Sequence, residues 1–427
     1  MRTIVEPSRE IPVVDEVDVL VAGGGPAGIA AATAAARVGA RTMLVERYGY
    51  LGGLATGGLV LFMDELFDKQ GERCIGGVYW EAMERLRAIG GLAEERPKRL
   101  HVDSELLKVV ADEMCVEAGV TLRLHSWAVD ALVEEGRVTG AVVESKSGRQ
   151  AILSRVCVDT TGDGDISAYA GAEYELHAMR IGLNCKIGGV DLVAFRGWQE
   201  DSPEHARALH AEVRALGGCP MGAGATPHSD LGVYWVNVLG LAGKDEEPRG
   251  ERSGESFAGV LSAVDVEDLT YAEVELRKRI MVGLNYYRRH VPGYENARLL
   301  ALASELGVRD SRRVKGLHKL TRSEMEAGAR FEDAIGMTAT TFAAGNHLQV
   351  PYRALVPEAV DGLVVGGRCI SVDDGLIGPI RVIPPCMMTG QAAGTAAALC
   401  VREDVSPSEL NVGLLQDQLV ADGAILP

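Results

Sequence analysis

Apolar and polar positions alternate in a recognisable order from Val17 onward. Val17–Ala22 is a nearly continuous apolar run, as expected of a strand buried on both faces. A glycine turn follows, then a small-residue stretch with helical spacing opened by Pro26 and closed by Gly39, where proline and glycine suit the two helix ends. Arg41–Glu46 is apolar again and predicts a parallel partner strand; Val17–Glu46 spans the 30 residues expected of a βαβ unit. Tyr48–Thr56 predicts a loop, and Ile75–Ile89 and Asp103–Ala118 predict helices. Val120–Trp127, Ala131–Val133, Arg137–Glu144 and Ala151–Asp159 predict short strands of an antiparallel meander, ending in the glycine loop Thr160–Asp165.

The middle of the chain has mixed character. Leu231–Leu241 predicts a strand, and Thr270–Glu273 matches a capping box opening a helix through Arg289. Lys244–Glu255 is a polar excursion, read as a surface loop. Leu363–Gly367 then predicts re-entry into the first sheet. Pro384-Pro385 would stop a strand, and Thr389-Gly390 would open a final Gly/Ala helix. The fold class expected is α/β: a Rossmann-like dinucleotide-binding domain with a small antiparallel meander and an inserted α+β cap. Its segments would be 1–171 and 349–427 for the binding domain and 172–348 for the substrate cap.

Composition narrows the function. Hydrophobic content of 47% and charged content of 24% are those of a globular protein long enough for two domains. The net charge of −17 and the lack of a basic run argue against a nucleic-acid partner. Apolar stretches such as Gly57–Met63 are too short to span a bilayer, and Met1–Ile11 lacks the pattern of a secretory signal, so a cytoplasmic location is expected. The eight cysteines form no C-x-x-C pair; they are read as reduced small hydrophobes, with no metal site expected.

The chemistry sits in the glycine turn. Gly23 permits a tight turn, Gly25 lets a pyrophosphate reach the backbone, and Gly28 allows close packing of helix on strand, with Pro26 and Ala27 between them. The helix N-terminus offers free N–H groups and partial positive charge to the phosphates. Glu46, 18 residues beyond Gly28, ends the second strand, where a carboxylate can hold ribose hydroxyls. Gly52-Gly53 would let the backbone run along a longer cofactor. The N-terminus of the helix opened at Thr389-Gly390 would favour negative charge on a reduced flavin ring.

These segments resemble a known family. GGGPAG, ERYGYLGG, DTTGDGD, VPYRALVP (350–357) and GRCIS…RVIPPCMMTGQAAGTAAA are similar to FAD-dependent oxidoreductases of the glutathione-reductase structural superfamily. GVRDSRRVKGLHKLT, within Leu299–Thr321, matches a family stretch that usually carries Glu-Ser-Arg. The resemblance implies non-covalent FAD, with its adenosine near Glu46, Arg47, Ala128, Thr161 and Gly162. The isoalloxazine would lie among Gly53, Leu54, Ala55 and Thr56, the Gly367-Arg368 stretch through Ser371, and Arg381 through Pro385, Met387 and Met388. Many relatives carry a His-Glu pair after GRCIS; here Asp374 and Gly375 stand there, so any proton-handling role is absent or moved to Asp373 or Asp374.

Candidate catalytic groups are Arg381, Asp374 and His347. Arg381 would anchor a carboxylate substrate, stabilise reduced flavin, or form a salt bridge to the cap. Asp374 would act as a base or be a solvated loop acid; His347 would transfer protons or be an ordinary hinge residue. Tyr352 and Arg353 read as packing and positioning residues, and Cys369 and Cys386 as buried small residues flanking the ring. The expected activity is transfer of a hydride equivalent between a small organic substrate and FAD. Two other readings stay open: an electron-transfer flavoprotein subunit, and a thiazole-synthase-like enzyme that binds an adenylated NAD-derived ligand. A homodimer is compatible with the sequence.

Overall fold

A computed structural model describes residues 2–5, 8–68, 70–96, 99–244, 260–339 and 347–427. The chain begins with β1 (Val13–Ala22), α1 (Pro26–Arg37) and β2 (Thr42–Val45), and β2 pairs parallel to β1 from Val19↔Thr42 to Ala22↔Val45. Helix α2 (Gly77–Ala88) and helix α3 (Ser104–Glu117) follow. The Asp103 carboxylate caps α3 by accepting from the Glu105 and Leu106 N–H groups, both at 2.8 Å.

Four strands come next: β3 (Thr121–Arg123), β4 (Trp127–Glu134), β5 (Arg137–Ser145) and β6 (Gly148–Asp159). The expected strand over Val120–Trp127 is in fact two. β3 extends the parallel sheet beside β2, His125 turns the chain with φ of 53°, and Trp127 starts the meander. Strand β6 joins the two parts of the sheet. It runs parallel to β1 from Val13↔Ala151 to Ala22↔Asp159, while its first half pairs antiparallel with β5. Where β5 ends, the chain returns from far downstream: Leu363–Val365 pairs parallel with Cys157–Asp159. The order across the sheet is therefore β3-β2-β1-β6-β5-β4, with the returning strand beside β6.

The middle of the chain builds a separate antiparallel sheet from β7 (Cys185–Gly188), β8 (Val233–Val236) and β9 (Arg298–Leu302), with β7 central. The 25-residue helix α4 (Val266–His290) buries Ala272, Leu276, Ile280, Leu284 and Tyr287. Its start corrects the capping-box expectation. Asp265 is the cap, accepting from Glu267 N–H at 2.9 Å and Asp268 N–H at 3.1 Å. Thr270 already lies inside the helix, where its hydroxyl donates to the Val266 carbonyl at 2.7 Å, and Glu273 pairs with Arg277. A true capping box closes at Thr321 and Glu324. The strand expected over Leu231–Leu241 is only Val233–Val236, and residues 245–255 of the polar excursion lie outside the described residues.

Strand β10 (Leu363–Val365) leads into the last long helix, α5 (Ile383–Glu403). Here too the expectation is corrected. No strand precedes Pro384-Pro385; a helical turn, Ile377–Ile380, does, and the two prolines stand in the first turn of α5, where their missing N–H groups cost no hydrogen bond. Gly390 is consequently well inside the helix. Its purpose is contact: a Cβ there would stand 2.1 Å from the Ala27 carbonyl oxygen, and one at Gly394 would stand 2.0 Å from that of Ala31. Bare backbone on α5 thus rests directly on α1, which fixes the C-terminal segment against the glycine turn.

Candidate functional site: a cradle between the two glycine-rich segments

The turn between β1 and α1 is held by crowding at two glycines and left open at a third. Gly23 has φ of 98°, and a Cβ on it would lie 2.6 Å from the Thr160 carbonyl oxygen. At Gly28 a Cβ would stand 1.9 Å from the Gly23 oxygen. Gly25 is different: its Cβ direction meets nothing within 4 Å. Thr160 ties the turn to β6 by donating from its hydroxyl to Gly23 O at 2.8 Å or Ala22 O at 2.9 Å.

Glu46, 8% exposed, closes one end. Its carboxylate accepts from Gly24 N–H at 2.7 Å and Tyr48 N–H at 2.8 Å. Burial nevertheless pushes its pKa above the ordinary carboxylate value, against those two backbone donors. The Ser126 N–H donates to the Glu46 carbonyl at 2.9 Å, which brings Trp127 and the buried Ala128 to this end. Arg47 lies 4.8 Å over the Tyr48 ring and 5.9 Å over Trp127, so a flat aromatic and cationic wall stands where an adenine is expected.

The loop after β2 is laid over the turn. Gly52 N–H donates to Gly24 O at 2.8 Å, and Gly53, at φ of 46°, would put a Cβ 3.0 Å from Gly25 Cα. Leu54 and Ala55 form one turn of 3-10 helix, and the Thr56 hydroxyl pins it to Leu51 O at 2.7 Å. From the opposite side Thr161, Gly162 and Asp163 follow β6. Asp159 organises that turn, accepting from the Thr161 and Ser167 hydroxyls at 2.7 Å each. The half-buried Arg368 guanidinium pairs with Asp163 at 2.9 Å and Ser311 at 3.0 Å, close beneath Gly162.

At the far end Gly367 N–H donates to the Thr389 hydroxyl at 3.0 Å, so the loop after β10 and the start of α5 are one unit. Pro385, Met387 and Met388 are buried there, and Arg381 sits half-buried just before the helix. Cys386 stays a thiol, pushed up to about 12 because burial outweighs the nearby Arg368 and Arg381 charges; burial does the same to Cys369. Tyr352 and Arg353 bind the protein itself, through Pro407 O at 3.0 Å and the Asp333 carboxylate at 2.9 Å.

The three candidate catalytic groups are held by different elements. Asp374 is ion-paired with Arg313 at 2.8 Å and lies 2.9 Å from His177 Nδ1. His347 lies 3.2 Å from Asp68. Two groups that the sequence reading passed over pack together against the Gly57 backbone: Tyr50, whose loop was noted for its glycines, and Glu305, which lies in the Leu299–Thr321 stretch. A cleft of about 600 Å³ lies beside Arg214, Trp235, Leu239 and Arg279, and none of the residues expected to hold the cofactor lines it.

The cradle fits an extended dinucleotide. The space at Gly25 suits a pyrophosphate approaching bare backbone at a helix N-terminus. Fold and cradle together define an α/β dinucleotide-binding protein with a flavin-type C-terminal return. The chain belongs to the FAD-dependent oxidoreductase family, whose sequence model matches residues 18–419, and FAD is the cofactor. Thiamine thiazole synthase of Methanococcus vannielii is 26% identical over 155 residues, 34% of this chain and 56% of that one. Digeranylgeranylglycerophospholipid reductase 1 of Methanopyrus kandleri is 33% identical over 190 residues, 42% and 48% of the two chains. The chain spans about half the length of these curated relatives. A geranylgeranyl bacteriochlorophyll reductase-like protein of Thermoplasma acidophilum superposes with a TM-score of 0.48 at 14% identity, covering 96% of this chain and 87% of that one. Among the described residues no helix is long and apolar enough to cross a membrane, and no group of three His, Cys, Asp or Glu could hold a metal ion.

Proposed function

We propose that the protein transfers a hydride equivalent between a small organic substrate and FAD. The observation that carries this reading is the contact of α5 with α1, which sets the GRCIS and RVIPPCMM segments beside the Gly23–Gly28 turn. FAD supplies the two-electron chemistry when bound; the protein supplies position, a dry site and a place for the proton. Gly25 and Glu46 are the proposed pyrophosphate and ribose contacts. Leu54, Met387 and Met388 exclude water at the ring end. With prolines in the first turn of α5, the helix contributes chiefly its dipole there, favouring negative charge. Arg381 adds a full positive charge, suited to a substrate carboxylate or to the reduced ring. Asp374 and His347 are the proposed proton-handling groups, and residues 172–348 the cap. The cytoplasm suits a chain whose eight cysteines are all free thiols, and a homodimer is the proposed assembly.

Two outcomes test the reading. Purified protein is expected to show flavin absorption bands that bleach anaerobically with a small organic donor alone, or reoxidise with a small acceptor. A colourless preparation releasing an adenylated nucleotide would favour the thiazole-synthase-like alternative, and bleaching only with an added protein would favour an electron-transfer subunit. Glu46→Ala is expected to lower FAD content, since the ribose hydroxyls lose their acceptor and the Gly24 N–H loses its own. Equal flavin occupancy in mutant and wild type rejects that placement. Arg381→Met should slow single-turnover flavin reduction at least about tenfold (about 1.4 kcal/mol) while FAD stays bound. An unchanged rate removes Arg381 from the reaction.

A further inference from the structure

The cleft of about 600 Å³ is lined by residues that all fall between Arg180 and Arg279 in the chain. Its volume lies inside the range of about 300–1,000 Å³ usual for small-molecule sites. Backbone contacts fix its walls. Residues 217–222 rest on α4: Cys219 N–H donates to the Arg279 carbonyl at 3.0 Å, and a Cβ on Gly283 would stand 2.0 Å from Cys219 O. Gly224 and Trp235 of β8 exchange hydrogen bonds at 2.6 and 2.9 Å. Gly240, with φ of 87°, would put a Cβ 1.8 Å from Ile181 O, while Ile181 and Leu241 exchange hydrogen bonds at 2.9 Å each. A helix, Pro203–Ala215, adds His210 and Arg214 to the lining; the Tyr286 hydroxyl of α4 ties it down by donating to the Glu212 carboxylate at 2.7 Å. The space is therefore formed before any ligand arrives.

Its charge has one sign. Arg180, Arg214, Lys244 and Arg279 line it, and among the described residues the lining has no Asp or Glu. That runs against the net charge of −17 of the whole chain. Two of these cations hold a carboxylate outside the lining: Arg279 donates to Glu275 at 2.8 Å, and Lys244 pairs with Asp268 at 2.5 Å. Arg214 is exposed, and among the described residues it makes no ion pair or side-chain hydrogen bond. His210 precedes it by one helical turn, on the same face. Trp235, Leu239 and Leu241 set apolar side chains in the same lining. A concave wall that joins cations to apolar surface concentrates anions that carry an apolar part.

We infer that this cleft is a binding site for an organic anion, a carboxylate or phosphate head on an apolar body, with Arg214 as the principal contact to the head. A guanidinium not engaged by the protein can give either head two parallel N–H···O bonds. The body would lie along Trp235, Leu239 and Leu241. No residue proposed to hold FAD lines the cleft, so its ligand is separate from the cofactor and binding does not require flavin.

The experiment is calorimetric titration of the full-length protein, flavin-loaded and flavin-free, with octyl phosphate, octanoate, octanol and octylammonium at neutral pH. Expected is saturable binding of at least one of the two anions, at least about tenfold tighter than octanol, with or without flavin. The tighter anion assigns the head as phosphate or carboxylate. Arg214→Ala should weaken that anion at least about tenfold, and Arg214→Lys, which keeps the charge but not the fork, should lose less. Since Arg214 is exposed, neither substitution removes a core group. Absence of saturable anion binding overturns the inference. So does octanol or octylammonium binding as tightly as the anions, or an Arg214→Ala affinity equal to wild type. Anion binding by protein that never takes up FAD supports this site and rejects the cofactor reading alone.

Discussion

Gly394→Ala is expected to lower the unfolding midpoint sharply and to release FAD, although helix propensity alone forecasts the opposite. In an ordinary helix interior, replacing glycine by alanine stabilises by about 0.5–1 kcal/mol. Here the added methyl would stand 2.0 Å from the Ala31 carbonyl oxygen and 2.6 Å from that residue's carbonyl carbon and Cα. These are backbone atoms of a helix buried from Ala27 to Ala35 and cannot swing aside. Separating α5 from α1 opens the packing along both, at a cost of about 1–3 kcal/mol or more. Packing therefore outweighs propensity. Because α1 carries the Gly23–Gly28 turn and α5 follows Arg381, the same shift disturbs both ends of the cradle. Denaturant unfolding with the flavin-to-protein ratio checks this; a variant as stable as wild type and fully loaded refutes the close approach.

Gly25→Ala is expected to do something different: to spare the fold and lose the cofactor. Gly25 has φ of −68° and ψ of −173°, a region open to any residue, and its added methyl meets no protein atom within 4 Å. The apo protein should unfold within about 0.5 kcal/mol of wild type. The space the methyl takes is where the pyrophosphate is proposed to touch backbone, so FAD affinity should fall at least about tenfold, which is about 1.4 kcal/mol. Gly28→Ala is the contrast, since its methyl would strike Gly23 O at 1.9 Å and break the turn itself. Full flavin occupancy in Gly25→Ala would move the pyrophosphate elsewhere.

How much was legible beforehand differs by segment. The β1–α1–β2 unit was plain because buried parallel strands and a Gly-turn helix leave strong local patterns; its boundaries fall within two residues of expectation except the start of β1, at Val13 rather than Val17. The return of Leu363–Val365 to the first sheet was also legible, from its apolar run before a glycine loop. The two helix starts misread, at Thr270 and at Thr389-Gly390, share a cause. A Thr-x-x-Glu or Gly spacing occurs inside helices as well as at their ends, and only the partner hydrogen bonds and the facing helix separate the cases. Glu305 was invisible for another reason: a single acid in the mostly apolar run Leu299–Val308 gives no local sign of which side chains it will meet.

Residue order alone determined that this protein builds a nucleotide-type glycine turn with an acid after its second strand, and that a second glycine-rich segment follows far downstream. Those features rest on backbone sterics and period, which act within a few residues of each other. Only the tertiary structure decided which distant groups share the cradle. Gly390 and Gly394 meet α1, Arg368 meets Asp163, and Glu305 meets Gly57 because apolar burial forces those elements together. Whether a carboxylate is paired with a cation, as Asp374 is, or buried beside a tyrosine hydroxyl, as Glu305 is, follows from that packing and not from its neighbours in sequence.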